Sequence, residues 1–274
     1  MSQVEISTPF INHVASGKGP YVTLVHGVGA NLQSWDEVTK LLEPLFTVVR
    51  LDLRGHGKSG RITTCTLDDL ASDVRDVWDA RGIQKSHLAG FSLGGLIAQS
   101  LALSDPDRVD RLAIISAVAG RTHDERAKVV GRLKLLKEGG IPAVTAAAEE
   151  RWFTAEFRAK HPERVERRMA ELLANDPTSY AAAYTVFATS DLGDRLSEIR
   201  HPTLVVTGEN DVGSNTRMAS VMHERIKNSR LEILPHLHHS VLAEAPAKIA
   251  ELLIGQFGSG QQPVRRPRRE ADAQ

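Results

Sequence analysis

The chain is poor in the features that would send it outside the cell or to a charged surface. It has one cysteine, Cys65, in 274 residues, so no disulfide can form within it, and a reducing compartment suits it. Neither charge is in excess: Lys plus Arg and Asp plus Glu each number 34. That balance leaves no electrostatic footprint for nucleic acid or an anionic membrane. Met1-Ser2-Gln3-Val4-Glu5 lacks the basic segment and apolar run of a secretory signal, so a cytoplasmic protein is expected. Internal repeats are absent. One stretch, Ser86 to Ser104, contains no Asp, Glu, Lys or Arg. Its glycines and serines split it into strand, turn and helix, so it reads as buried core and not as a membrane span. The charge balance fails only in residues 258–274, where Arg265, Arg266, Arg268 and Arg269 crowd a segment poor in apolar residues. A disordered basic tail is expected there.

Short apolar runs alternate with helical patterns. Strands are expected at Tyr21–Val25, Thr47–Asp52, His87–Gly90, Leu112–Ser116, Thr203–Thr207 and Leu231–Leu234. Most are continuous apolar runs, as parallel strands covered on both faces should be. Helices are expected at Leu67–Ala80 and Met218–Ile226. The alternation predicts an α/β class with a mostly parallel, doubly wound sheet, and the first twenty residues suggest an antiparallel edge hairpin. Residues 121–196 break the rhythm. They hold no convincing strand, and Pro142, Pro162 and Pro177 mark helix starts within them. We expect a core of residues 1–120 and 197–257, and a helical lid of 121–196 inserted after the sixth strand. Such an insertion would overhang the carboxyl edge of the sheet, where sites of this class form.

Gly90-Phe91-Ser92-Leu93-Gly94-Gly95 carries the chemistry. It is a G-x-S-x-G turn between an apolar run and a helical run, the setting of a nucleophile elbow. Glycines there remove the Cβ clashes that a sharply turned serine would meet. Serine needs a base, and the base needs an orienting acid. In sheets of this kind the chain order is Ser, acid, His. Asp211 and Glu209 follow the Thr203–Thr207 run, and His236, His238 and His239 follow the last strand. His26 precedes Gly27 at the end of an early strand, where it suits bracing a loop. The Leu93 N–H opens a helix behind the serine, so it is a ready donor to an oxyanion.

Three further segments resemble the α/β-hydrolase family over residues 1 to about 257. His239-Ser240-Val241-Leu242-Ala243-Glu244-Ala245-Pro246 is similar to its closing H-x₄-E-x-P stretch, a register that selects His239 as base. Asp211 occupies the place of the family's acid. His26-Gly27-Val28-Gly29 resembles its H-G-x-G oxyanion loop, which implies the Val28 N–H as second donor. Asp52-Leu53-Arg54-Gly55-His56-Gly57-Lys58-Ser59 resembles its D-x-R-G-x-G-x-S turn, which makes His56 structural.

The insertion carries Arg151-Trp152-Phe153-Thr154 and Asp176-Pro177 with Tyr180, patterns that resemble the lid of 3-oxoadipate enol-lactonases. The resemblance implies opening of a small enol-lactone by Ser92, His239 and Asp211, without metal or organic cofactor. Such a substrate carries a carboxylate, for which Arg151 is a candidate partner; an arginine on the lid's outer face is the competing reading. Trp152 would supply pocket wall. A carboxylesterase for another small ester, or a cofactor-free perhydrolase or haloperoxidase, would use the same parts. A carbon–carbon bond hydrolase or a non-catalytic receptor of this fold are further alternatives. Ser92 stands where epoxide hydrolases and haloalkane dehalogenases of this fold carry Asp, which sets those aside. Oligomeric state has no signature in the chain.

Overall fold

The computed structural model describes residues 9–258. Seven strands form one sheet: β1 (His13–Gly17), β2 (Tyr21–Val25), β3 (Thr47–Leu51), β4 (Ser86–Phe91), β5 (Val109–Ile115), β6 (Thr203–Gly208) and β7 (Ser229–Leu234). Their order is β1-β3-β2-β4-β5-β6-β7. All neighbours are parallel except β1, which runs antiparallel to β3 at the edge, with His13 opposite Leu51.

The helices are α1 (Asp36–Leu42), α2 (Leu67–Ala80), α3 (Leu93–Ser104), α4 (His123–Gly139), α5 (Pro142–Trp152), α6 (Ala155–Lys160), α7 (Pro162–Leu173), α8 (Pro177–Thr189), α9 (Thr216–Arg225), α10 (Val241–Glu244) and α11 (Pro246–Gly258).

The continuous apolar runs make sense once the two faces are separated. Successive strand side chains point to opposite faces. Leu88, Leu112, Ile114 and Val205 therefore pack with α2, α3 and α9. Their chain neighbours Ala89, Ala113, Ile115, Leu204 and Val206 pack with α1 and α11 on the other side. A parallel sheet buried on both faces requires this double apolar character. Local signals start the helices. Thr66 and Thr122 close reciprocal capping boxes with Asp69 and Glu125, and Pro142, Pro162 and Pro177 occupy first turns.

Two expectations are corrected. The edge strand β1 does not form a hairpin with its chain neighbour β2; it pairs with β3. Among the described residues one strand, not two, precedes Tyr21, so the helical segment α4–α8 follows the fifth strand, β5, and not the sixth. β6 comes after it. Residues 259–274 of the expected basic tail lie outside the described residues, and Gly258 closes α11.

The segment α4–α8 is tied to the strand-end loops. Ser179 of α8 accepts from the Ile62 N–H and donates to the Ile62 carbonyl. Asn175 donates to the Gly29 carbonyl, and the Ser240 N–H donates to the Trp152 carbonyl. No helix among the described residues is long and apolar enough to cross a membrane.

Candidate active site

β4 ends at Phe91 and α3 begins at Leu93, so Ser92 alone makes the turn. Its φ of 56° and ψ of −115° lie in strained territory for a residue with a Cβ. Two glycines permit the turn. A methyl group at Gly90 would overlap the Gly94 carbonyl, and one at Gly94 would overlap the Val25 carbonyl. The Ser92 N–H donates to the Ile115 carbonyl at 2.9 Å, which holds the elbow on the end of β5. The residue is 4% exposed and lines a cavity shared with Asp211 and His239.

Asp211 follows β6, and His239 follows β7. The His239 Nδ1 stands 2.7 Å from Asp211 Oδ2. The other oxygen, Oδ1, accepts the Gly213 and Ser214 N–H groups at 2.8 and 2.9 Å. Burial alone pushes this carboxyl up. The charge and hydrogen bond of His239 and the two backbone donors more than offset it, and the pKa lies below the ordinary aspartate value. A carboxylate only accepts, so Nδ1 carries the proton and Nε2 is left with its lone pair as a base. The Phe91 ring packs against His239, with centroids 5.0 Å apart.

Of the competing residues, Glu209 accepts the His236 N–H at 2.8 Å, and His238 Nδ1 contacts the Glu150 carbonyl. Neither His236 nor His238 lines the cavity around Ser92.

The loop Gly27–Gly29 lies against the elbow: a Cβ at Gly27 would come within 2.9 Å of Ser92 Cβ. Two buried histidines hold it. His26 Nδ1 donates to the Gly27 carbonyl and its Nε2 accepts the Leu53 N–H. His56 Nδ1 donates to the Arg54 carbonyl and its Nε2 accepts the Gly29 N–H. Each ring must be neutral to accept. Burial is the main cause that brings His26 down to about 4 and His56 down to about 3. The Gly29 N–H is thus committed to His56, while Val28 lines the cavity one residue earlier. Leu93 is buried at the first turn of α3, where backbone N–H groups lack helical acceptors. A serine hydroxyl that shares a cavity with a histidine and its hydrogen-bonded acid supplies parts that acyl transfer needs.

Arg151 and Trp152, at the end of α5, both line the cavity. Sequence reasoning missed Arg132, Arg168, Tyr180 and Tyr184 as wall residues, though all four face the same space. A signal existed for the arginines. Arg132 sits three residues after buried Val129 and one before buried Leu133, and Arg168 relates in the same way to Val165 and Met169. A cation at a position of the apolar stripe faces inward. Among the described residues, no group of three or more His, Cys, Asp or Glu side chains is disposed to hold a metal ion.

Known proteins share this architecture. The chain is 29% identical over 246 residues to the (E)-2-((N-methylformamido)methylene)succinate hydrolase of Acinetobacter baylyi, covering 88% of this chain and 92% of that one. It is 27% identical to 3-oxoadipate enol-lactonase 1 of the same bacterium, covering 86% and 88% of the two chains. A solved hydrolase from Pseudomonas aeruginosa superposes with a TM-score of 0.85 at 27% identity, over 90% of this chain and 94% of that one. The sequence pattern of the alpha/beta hydrolase fold matches residues 20–246, and with the seven-stranded sheet and its crossing helices this shows that the chain belongs to the alpha/beta hydrolase family.

Proposed function

We propose that this protein is a serine hydrolase that opens a small lactone or ester through an acyl-enzyme, with a 3-oxoadipate enol-lactone-type substrate as the best reading. One observation carries it: a strained, buried serine shares a cavity with a histidine whose Nδ1 is held 2.7 Å from a fully hydrogen-bonded aspartate. The likeness to 3-oxoadipate enol-lactonase 1 and the arginines in the cavity wall support the choice of a carboxylate-bearing lactone.

The steps follow from the parts. Ser92 Oγ attacks the lactone carbonyl, and its proton passes to His239 Nε2. The imidazolium that forms is stabilised by Asp211. The tetrahedral oxyanion takes hydrogen bonds from the Val28 and Leu93 N–H groups, each such donor being worth about a hundredfold or more in rate. Collapse breaks the ring acyl–oxygen bond and expels an enolate, which His239 protonates and which settles as the ketone. Water, deprotonated by His239, then attacks the acyl-enzyme and releases Ser92 and an oxo acid. The helices α4–α8 act as a lid that walls the cavity. A cytoplasmic setting goes with this reading, supported by the lone cysteine.

The test is turnover of a panel of enol-lactones and aryl esters by the wild type and Ser92→Ala, with fluorophosphonate labelling. Ser92-dependent labelling and a kcat/KM preference for the enol-lactone are expected. Full turnover by Ser92→Ala ends the proposal, whereas a preference for aryl acetates reduces it to a general esterase.

A further inference from the structure

Three guanidinium groups converge on the cavity that holds Ser92: Arg132 from α4, Arg151 from α5 and Arg168 from α7. Each lies on the buried stripe of its helix. Arg132 shares a stripe with Val129, Leu133 and Leu136. Arg168 shares one with Val165, Met169 and Leu172. Arg151 follows buried Val144 and Ala148 by seven and three residues. Arginine is usually placed on the solvated face of a helix. Here helical periodicity aims three of them at the same interior space.

None of the three has a carboxylate within ion-pair distance among the described residues. Arg132 Nε donates to the Tyr184 hydroxyl at 3.2 Å. The Arg168 guanidinium lies over the Trp152 ring, 4.9 Å from its centroid. The buried Nε of Arg151 and one buried terminal nitrogen of Arg168 find no acceptor. One acid lines the cavity, Asp211, and its oxygens are taken by His239, Gly213 and Ser214. Burial lowers the pKa of both Arg151 and Arg168, and for Arg151 the nearby Arg132 adds repulsion; the charges of Asp211 on Arg151 and of Glu171 on Arg168 oppose this without offsetting it. Two other arginines of the same segment are satisfied from within. Arg126 pairs with Asp191, and Arg121 donates to the Ser190 and Phe187 carbonyls.

Guanidinium stays charged in proteins, and an uncompensated buried cation is costly. A ligand with complementary charge would remove that cost and find forked donors suited to carboxylates. The cations also differ in what they rest on: Arg132, from α4, reaches the Tyr184 hydroxyl, whereas Arg168, from α7, is stacked on Trp152.

We propose that this cavity binds small dianions, with one carboxylate on the Arg132/Arg151 pair and the second on Arg168. The inference rests on the hydrolase reading of Ser92 and names its substrate class: an ester, lactone or amide whose substrate or product carries two carboxylates. A lactone with one carboxylate meets this condition on hydrolysis. Its acyl–oxygen bond breaks, the oxygen of water becomes part of a new carboxylate, one proton of that water ends on the expelled enolate and the other leaves to solvent. The product dicarboxylate is then a competitive inhibitor.

The experiment is calorimetric titration of full-length Ser92→Ala with succinate, glutarate and adipate, against monocarboxylates of matched chain length. Dicarboxylates are expected to bind about tenfold or more tightly than their monocarboxylate partners. Adding Arg168→Met or Arg132→Met should shrink that preference to about threefold or less. Raising salt from about 20 to about 200 mM should weaken dicarboxylate binding more than monocarboxylate binding; this reading needs no further variant should the Met proteins fail to fold. Equal affinity for the two classes, a preference that survives both arginine substitutions, or a salt response shared by both classes overturns the proposal. Ser92→Ala removes turnover from the measurement. A dianion preference beside a wild type that hydrolyses nothing would sink the hydrolase reading while leaving the dianion site standing.

Discussion

The sheet and the helical segment above it treat buried charge in opposite ways. Beyond the carboxyl ends of the strands, the buried groups Asp52, Asp211 and Arg54 have carboxylate, side-chain or backbone partners. Asp52 accepts from Leu32, Asn12 and Lys58, and Asp211 accepts from His239, Gly213 and Ser214. Arg54 grips Asp73 through two nitrogens, at 2.9 and 2.6 Å. In the wall made by α4, α5 and α7, Arg132, Arg151 and Arg168 point inward without carboxylate partners. A filled network rigidifies and positions. An unfilled one is stability withheld, recoverable when a ligand arrives. On the proposed reading, the filled part holds reacting groups in place and the unfilled part selects what reaches them.

The largest expected effect lies in the filled network. Asp211→Asn keeps the shape and removes the charge and the tautomer control. A fall in kcat of about ten-thousandfold is expected, read with the best ester or lactone substrate; a loss under about tenfold would break the claim that Asp211 orients His239.

Next is the filled pair Arg54–Asp73, just past the carboxyl end of β3. Asp73 is fully buried and Arg54 is 8% exposed. Asp73→Ala leaves that cation with only the more exposed Asp69 at 3.4 Å, and a loss of about 3 kcal/mol in urea unfolding is expected.

The buried histidines give a pH signature. His26 is lowered to about 4 and His56 to about 3 from 6.5, so between those values and 6.5 the unfolded chain binds more protons than the native one. Stability is therefore complete above about pH 6.5 and declines as pH falls toward 4 and then 3. Each histidine contributes a slope of about 1.4 kcal/mol per pH unit at most. His56→Gln should flatten the slope of unfolding free energy between about pH 5 and 6 by nearly that amount. An unchanged slope would mean that His56 is not buried neutral.

The smallest effect has the opposite sign and sharpens the contrast most. Arg168→Met removes an unfilled buried cation, and unfolding free energy should rise by about 1 kcal/mol. A destabilisation like that of Asp73→Ala would show that Arg168 is structural after all.

Much of the site was readable because it is written in local grammar. The glycines around Ser92 answer a steric demand of a few consecutive residues, and Asp211 and His239 follow apolar runs in the order a doubly wound sheet requires. Choosing His239 over His236 and His238 took a family register as well as chemistry. The wall was not readable to the same degree. Arg151 was singled out beside Trp152, but Arg132 and Arg168 were lost among the many arginines of residues 121–196, although each sits on an apolar stripe.

The chain alone dictates the alternation of strands and helices, the serine turn and the helix starts, because each rests on sterics or periodicity within a dozen residues. Where β1 pairs, that the helical segment follows the fifth strand, and that three arginines from separate helices meet above one serine emerge only on folding. Strand partners and helix faces are set by which distant apolar surfaces bury each other, a condition that no short stretch of sequence contains.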